Sequence, residues 1–191
     1  MATDLIVLTA LRPELDHQKM PSGVQVFYTG IGKINATIAT LEAIEQASPA
    51  LIVNFGTVGA VCPKASGLLE IARVVQRDML AEPLSPRGRV PFCERPHEYF
   101  SERGTHTCGT GDSFVSSKDI WLEEQGIHVV DMELYAIAAV AHHHNIPWRS
   151  YKYVTDFTDE QSGEDWHDKI NHGELLFLEK LRELRAHSTQ K

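Results

Sequence analysis

The chain has 191 residues, enough for one well-buried α/β domain and too few for two ordinary ones. Its 26 acidic and 18 basic residues give a formal net charge of -8, which argues against nucleic acids and acidic membrane surfaces as partners. The apolar run at 5–8 is too short to span a bilayer and lacks the basic flank of a signal peptide. The three cysteines are widely spaced and odd in number, so we expect reduced thiols and a cytoplasmic protein.

Strands and helices alternate in the first half of the chain. A buried strand is predicted at 5–9 and a second strand at 24–28. The glycines of TGIG then lead into a helix with apolar residues near helical spacing, at Ile34, Ile38, Leu41 and Ile44. A buried strand at 51–55 is expected to break into a second glycine turn, GTVGAV, and another strand follows at 69–75.

The second half begins with residues 81–111, which hold four prolines and many charges. We predict a long irregular excursion there, typical of a flap or a subunit interface. A short strand at 127–130 leads to Asp131, a candidate helix cap, and to a helix with one apolar face formed by Leu134, Ile137, Ala138 and Ala141. A strand at 150–155 precedes a closing amphipathic helix at 175–184, whose apolar positions are Leu175, Leu178, Leu181 and Leu184.

This alternation predicts a single α/β domain with a central, mostly parallel mixed β-sheet flanked by helices. We place the domain at 1–187 and a C-terminal tail at 188–191. In such folds ligands bind at the carboxyl ends of the strands.

Three acidic residues, Glu14, Glu133 and Asp156, each follow a short apolar run with strand character. A sheet could therefore bring the three carboxyl groups to one edge. Cleavage of a glycosidic bond builds positive charge on a sugar ring, which fixed carboxylates stabilise, while a protonated carboxyl activates the leaving group. The alternative is that these acids only cap helices or turns.

Six motifs stand in a fixed order along nearly the whole chain: TALRPELD, TGIGKINA, NFGTVGAV, TGDSFV, VVDMELYAIA and YVTDFTDEQS. Together they resemble the nucleoside phosphorylase and nucleosidase superfamily, and most closely its 5'-methylthioadenosine/S-adenosylhomocysteine nucleosidases. The resemblance implies a phosphorylase/hydrolase-like fold and hydrolysis of the N-glycosidic bond of an adenosine-type, 5'-modified nucleoside to free base and sugar. It also implies a role in purine and methionine salvage, a homodimer, and no cofactor or metal.

The resemblance assigns roles to the three acids. Glu14 matches the residue that holds or deprotonates the attacking water. Met132 and Glu133 match the pair that packs under the ribose and binds its hydroxyls, and Asp156 matches the acid that donates a proton to the purine. Further positions match substrate-binding residues of the family. Phe114 matches the residue that stacks on the base, and Val115 matches the one that reads the purine edge. Ile31 belongs to a turn near the ligand, Leu11 and Trp166 line the pocket for the 5' substituent, and Thr57 directly follows the strand at 51–55 and Gly56.

Two departures from the family pattern bear on the reaction. Asn54 stands where related phosphorylases carry an arginine that holds phosphate, so water is favoured as the nucleophile. Lys152 stands where the nucleosidases carry an arginine that helps to place the water, and Arg149 is a candidate to compensate. A phosphate-dependent phosphorylase and a non-catalytic nucleoside-binding module stay open as alternatives.

The region between GTVGAV and TGDSFV is shorter than in full-length nucleosidases, which makes the 5' specificity the least transferable property. The same region contains Cys93, His97, His106 and Cys108, a composition that could hold zinc. Their spacing matches no standard zinc site, so no metal is expected.

Overall fold

The computed structural model describes residues 4–158, 166 and 169–188. Its strands are β1 (Ile6–Thr9), β2 (Gln25–Tyr28), β3 (Ile52–Ala60), β4 (Leu68–Gln76), β5 (Glu98–Phe100), β6 (His106–Thr110), β7 (Val129–Asp131) and β8 (Trp148–Asp156). Its helices are α1 (Lys33–Ala47), α2 (Ile120–Glu124), α3 (Leu134–His143) and α4 (Glu174–Ser188), with a 3₁₀ turn at His17–Lys19.

The strands form one mixed sheet with a closed part. The strands β3, β8, β4, β6 and β7 pair in that order, and β7 pairs again with β3, so these five form a ring. The strands β1 and β2 extend the sheet from β3, and β5 lies outside β4. Only β3–β7, β4–β5 and β4–β8 are antiparallel pairs in the described sheet, which confirms the predicted mostly parallel mixed α/β fold.

Helices cover both faces of the sheet because successive side chains of a strand point to opposite faces. In β1, Ile6 and Leu8 pack into a core with α1 and α3. The side chain of Val7 packs into a second core, where it meets Phe177 and Leu178 of α4. The predicted continuous apolar run of β1 is thus buried on both sides.

The helix α1 turns small residues inward and large apolar residues outward. Its buried positions are Ala36, Thr40, Ala43 and Ala47. The residues Ile34, Ile38 and Leu41 are 74%, 52% and 42% exposed and form one stripe along the helix. The helix is where the sequence predicts it, but most of its apolar stripe faces away from the core.

Two predictions about local structure are wrong. The motif GTVGAV does not form a turn, because β3 continues through Gly56 and Gly59 to Ala60. The predicted excursion at 81–111 contains β5 and β6, so it is irregular only before Glu98, between the two strands at 101–105, and at residue 111. A short strand with little apolar periodicity, such as β6, is set by its neighbours β4 and β7 rather than by its own sequence.

At the C-terminus, α4 begins at Glu174 and ends at Ser188, close to the predicted helix. Leu178 and Leu181 are buried as expected, whereas Leu175 is 69% exposed and Phe177 fills the core instead. The boundary between a domain at 1–187 and a tail at 188–191 stays a prediction, since residues 189–191 lie outside the described chain. Within the described ranges, no helix is both long and apolar enough to cross a membrane.

The second core should depend strongly on Phe177, whose ring stacks on Phe55 with centroids 4.4 Å apart. We expect Phe177→Ala to lower the free energy of unfolding by about 3–5 kcal/mol, because it removes a fully buried ring and leaves a cavity. Leu175→Ala, on the exposed side of the same helix, is the matched control and should change it by less than about 0.5 kcal/mol. Urea unfolding of the three proteins measures both effects. Equal losses would contradict the assigned helix face.

Candidate active site

One cavity gathers the three predicted acids where β1, β7 and β8 end beside residues 57–59 of β3. Glu14, Glu133 and Asp156 all line it. Of the residues predicted to bind substrate, the cavity is also lined by Leu11, Ile31, Thr57, Phe114, Val115, Met132 and Trp166. Residues far apart in sequence therefore meet at one place, although β7 runs antiparallel to β3 and β8 runs parallel to it.

Glu14 is 3% exposed, and four donors bind its carboxylate. Oε1 accepts from the backbone N–H of Thr57 (3.0 Å) and from the Thr57 hydroxyl (2.9 Å). Oε2 accepts from the Leu11 N–H (2.9 Å) and from the Thr9 hydroxyl (3.2 Å). Such a set of donors fixes the carboxylate against Thr57 in the second half of β3.

Glu133 follows β7 at the start of α3 and is 8% exposed. Its Oε1 accepts from the Gly32 N–H at the start of α1 (2.9 Å). Burial, and then the negative charge of Asp131, raise the pKa of Glu133 to about 8, although Lys152 and the Gly32 N–H act in the opposite direction. In the free protein at pH 7 this carboxyl group is therefore mostly protonated.

The turn that presents Gly32 needs glycine. Its φ is +94°, and a Cβ there would lie 3.3 Å from Oδ1 of Asp112. That same oxygen accepts from the Lys33 N–H at the first turn of α1 (2.8 Å). The glycine motif TGIG is thus a helix start that brings one backbone N–H to Glu133.

Asp156 is the last residue of β8 and is 4% exposed. Oδ1 accepts from the Thr155 hydroxyl (2.8 Å) and Oδ2 from the Thr158 N–H (3.3 Å). Only two donors hold this carboxyl group among the described contacts, so it keeps capacity for a ligand.

The two glycines within β3 make room for these acids. A Cβ at position 56 would lie 3.3 Å from Nζ of Lys152 and 3.4 Å from Oε1 of Glu14. A Cβ at position 59 would lie only 2.7 Å from Oδ2 of Asp156. The strand therefore carries glycine where functional side chains cross it closely.

Lys152 does not line the cavity, because its side chain is 1% exposed and its ammonium pairs with Asp131 at 2.7 Å. Oδ1 of Asp131 also accepts from the Thr110 hydroxyl (2.5 Å), and Oδ2 accepts from the Leu134 N–H (2.9 Å). The latter bond satisfies the start of α3, which agrees with the capping role predicted for Asp131.

The charges of Asp131 and Lys152 keep both groups ionised. Burial alone would lower the pKa of Lys152, but Asp131, followed by Cys108 and Glu133, raises it above its ordinary value. Burial alone would raise the pKa of Asp131, yet Lys152 and the bonds from Thr110 and Leu134 hold it below its ordinary value.

Arg149 does not compensate for the lysine, and that expectation is wrong. Its guanidinium binds Glu70 at 3.1 Å. Positions 149 and 152 have opposite parity in β8, so their side chains leave opposite faces of the strand.

Asn54 is buried inside the sheet rather than open to a ligand. Its side-chain nitrogen donates to the Leu8 carbonyl (3.1 Å), and its oxygen accepts from the Ser150 hydroxyl (2.9 Å). The N–H of Thr57, three residues on, is already bound to Glu14. Among the described residues, the side-chain amide of Asn54 and the N–H of Thr57 are thus both bound within the protein and are not free to hold a phosphate ion.

Arg77 at the end of β4 is a cavity residue that the sequence reading did not include. Its guanidinium donates to the carbonyls of Gly109 (3.2 Å) and Gly111 (3.0 Å) and to both the hydroxyl (3.2 Å) and the carbonyl of Ser113. These bonds hold the segment before Phe114. The rule that located the acids, a polar residue after an apolar strand, applies equally to Arg77.

The open side of the cavity is aromatic. Phe114 is 59% exposed, and its ring lies edge-on to that of Trp166, with centroids 6.4 Å apart. The indole N–H of Trp166 donates to the Thr57 hydroxyl (2.8 Å). Among the described residues, no group of three or more His, Cys, Asp or Glu side chains is arranged to hold a metal ion.

Comparisons with known proteins identify the family of the chain. The profile of the phosphorylase superfamily matches residues 22–184. A 5'-methylthioadenosine/S-adenosylhomocysteine nucleosidase of Staphylococcus haemolyticus is 30% identical over 155 residues, which are 69% of this chain and 67% of that protein. A protein of the same name from Bacillus licheniformis is 25% identical over 190 residues, covering 87% and 77% of the two chains.

Solved structures share the fold. A mutant of the Helicobacter pylori nucleosidase with 5'-methylthioadenosine in its active site superposes with a TM-score of 0.80 at 20% identity, covering 91% of this chain and 94% of that one. Futalosine hydrolase from the same organism gives a TM-score of 0.79 at 19% identity, covering 88% and 91%. The sequence and the fold lead to one conclusion: the chain belongs to the phosphorylase superfamily, as its six motifs predict.

Proposed function

We propose that the protein is a nucleosidase that uses water to hydrolyse the N-glycosidic bond of an adenosine-type, 5'-modified purine nucleoside such as 5'-methylthioadenosine or S-adenosylhomocysteine. The names of its sequence relatives support the reaction and the substrate class. The single observation that favours water over phosphate as the nucleophile is the set of hydrogen bonds that Glu14 already accepts from Thr57. Its carboxylate occupies the Thr57 N–H and hydroxyl, and a phosphate dianion there would meet a negative charge instead of donors.

The three acids divide the chemistry between them in this proposal. Glu14 binds the water and deprotonates it. The water takes the place of one of the two threonine hydroxyls that donate to Glu14, since a hydroxyl can rotate away. Glu133 binds the ribose hydroxyls above Met132 and, once ionised, stabilises the positive charge on the sugar. Asp156 delivers a proton to the purine, which makes the base a better leaving group.

The remaining cavity residues serve different parts of the substrate. Phe114 stacks on the base, and the backbone at Val115 reads the purine edge. Ile31 approaches the ligand at the turn before α1, and Thr57 donates to Glu14. Lys152 acts through its ion pair with Asp131 and through its charge beside Gly56. Leu11 and Trp166 line the end that takes the 5' substituent.

We also propose that the protein acts as a homodimer in the cytoplasm. The exposed stripe of Ile34, Ile38 and Leu41 supports the dimer, because large apolar residues aligned on one surface of a helix are typical of an interface. The three cysteines are unpaired, which suits a reducing compartment.

The reaction can be tested by incubating the pure protein with 5'-methylthioadenosine in phosphate-free buffer and measuring free adenine. We expect base release without phosphate and free 5-methylthioribose as the sugar product. Strict dependence on phosphate with recovery of a sugar 1-phosphate would identify a phosphorylase instead. Thermal stabilisation by the nucleoside without base release would identify a binding module. No base from a panel of purine nucleosides would contradict the proposed reaction.

Glu14→Gln and Asp156→Asn keep the size of each side chain while removing its acid–base function. We expect kcat to fall by about 10²–10⁴ in each variant, the range typical of a lost general acid or base. Glu98→Gln, on the outer strand β5, is the control and should keep the wild-type rate. Circular dichroism shows whether the variants stay folded. Near-normal rates in both would refute the assigned roles.

The pH dependence should report Glu133. If its ionised form is the active one, kcat/KM must rise as the pH passes through about 8, the pKa of Glu133 in the free protein. In Glu133→Gln the rate should be lower and this rise should be missing, because no titrating group remains at that position. A wild-type profile that falls over the same pH range would contradict the role.

The dimer can be tested at the stripe on α1. Ile38→Glu places a charge on the exposed apolar surface, and we expect it to shift the protein to a monomer in sedimentation velocity experiments. Gln46→Glu adds the same charge to an exposed position of α1 away from the stripe, and this control should stay dimeric. Two variants with the same mass in solution would exclude this surface as the interface.

A further inference from the structure

The buried ion pair between Asp131 and Lys152 is not explained by stability alone. Both side chains are almost completely removed from solvent, at 0% and 1% exposure. Removing two charges from water costs about as much free energy as their attraction returns, and an apolar pair of similar volume is often equally stable. The position of the pair is more informative, since Asp131 lines the cavity and Lys152 lies directly behind it.

The aspartate is held from three directions. Thr110 of β6 donates to Oδ1, and the Leu134 N–H of α3 and the ammonium of Lys152 in β8 bind Oδ2. The Thr110 hydroxyl is fixed in turn because it accepts from the Tyr135 N–H (2.9 Å). These donors hold the Asp131 carboxylate in one orientation. The carboxylate in turn fixes the position of the Lys152 ammonium.

The ammonium in turn lies among the acids of the cavity. The ammonium and the Glu14 carboxylate both lie on the side of Gly56 where a side chain would stand, because a Cβ there would be 3.3 Å from Nζ of Lys152 and 3.4 Å from Oε1 of Glu14. Lys152 also acts on Glu133, and each stabilises the charged form of the other. The groups that act electrostatically on Glu133 are Asp131 beside it, Lys152 of β8, Glu14 after β1 and the Gly32 N–H of α1.

We propose that Asp131 is a positioning residue for the reaction: its carboxylate fixes the Lys152 ammonium beside Gly56, and the pair together sets the charge that Glu133 and Glu14 experience. The inference rests on the proposed nucleosidase function. It explains how a lysine works at this position without the planar fork of an arginine. A flexible ammonium has no preferred direction of its own, and Asp131 supplies one.

The two members of the pair have opposite charges, so their removal must move the titration of Glu133 in opposite directions. In Lys152→Met, a cation that favours ionised Glu133 is lost, and the rise of kcat/KM should move to higher pH. In Asp131→Asn, a repelling anion is lost, and the rise should move to lower pH. Each shift should be at least about one pH unit, as expected for a buried charge a few ångströms away.

Conservative variants separate positioning from simple packing. Lys152→Arg keeps the cation, so its profile should stay near that of the wild type. The double variant Asp131→Asn/Lys152→Met leaves no unpaired charge, folds more readily than Asp131→Asn alone, and should give a profile between those of the two single variants. Glu98→Gln, which breaks the ion pair of Arg73 at the outer strand, should leave the profile unmoved.

A second measurement needs no activity. Glu133 binds its proton more tightly in the folded state, so the native protein holds a proton that the unfolded chain has lost between the ordinary pKa of 4.5 and about 8. The stability of the wild type relative to Glu133→Gln must therefore fall as the pH rises through this window and become constant above it. The pH at which it becomes constant should move down in the Asp131→Asn background and up in the Lys152→Met background.

The activity and unfolding measurements test the proposed function and the positioning role of Asp131 separately. If the wild type releases no base from any nucleoside, the proposed function fails, while the unfolding measurement still tests the pair. If base is released but Asp131→Asn and Lys152→Met shift both titrations in the same direction, or shift neither, the positioning role of Asp131 is refuted. Opposite shifts with a wild-type-like Lys152→Arg establish it.

Discussion

Four carboxyl groups share one largely buried cavity, and each must be supplied with donors or a counter-charge or else take up a proton. The protein uses all three solutions. Glu14 receives two N–H and two hydroxyl donors, and Asp131 receives an ammonium. Glu133 receives one N–H and keeps a proton in the free protein at neutral pH. Because the environments differ, chemically similar side chains can perform different steps of one reaction.

The fold supplies these donors from elements that meet only at this edge of the sheet. The end of β3 serves Glu14, the start of α1 serves Glu133, and β8 contributes both Lys152 and Asp156. The ring of five strands ties β3, β7 and β8 together, so the groups that they present cannot move independently. This rigidity suits a reaction in which fixed charges must already be in place when positive charge develops on the sugar.

The sequence predicts much of this arrangement, since β-branched runs, helical spacing and the six motifs identify the fold and the three acids. It does not show which glycines form turns. Gly32 has a positive φ at a helix start, whereas Gly56 and Gly59 lie in an extended strand, and two closely spaced glycines after an apolar run precede both outcomes. The outward stripe of α1 is equally hidden, because helical periodicity shows that a helix has an apolar side and not what covers it.

The electrostatic partners of the cavity residues are the other part that the sequence alone does not predict. The positions of Asp131 and Lys152 differ by 21 in sequence, and those of Glu14 and Thr57 by 43, so only the folded sheet identifies them as pairs. Arg77 shows the reverse case. It follows an apolar strand as the three acids do, but cleavage of a glycosidic bond requires carboxyl groups and does not by itself predict an arginine beside them.

The two glycines of β3 have a consequence for how the protein can vary. Positions 56 and 59 carry no functional group, yet the space beside them is already used: a Cβ at position 59 would lie 2.7 Å from Oδ2 of Asp156, and one at position 56 would lie 3.3 Å from Nζ of Lys152. Position 59 therefore accepts a side chain only if Asp156 moves, whereas position 56 is tight but not closed. A Gly-x-x-Gly pattern inside a buried strand can therefore mark the place where catalytic carboxyl groups cross a sheet.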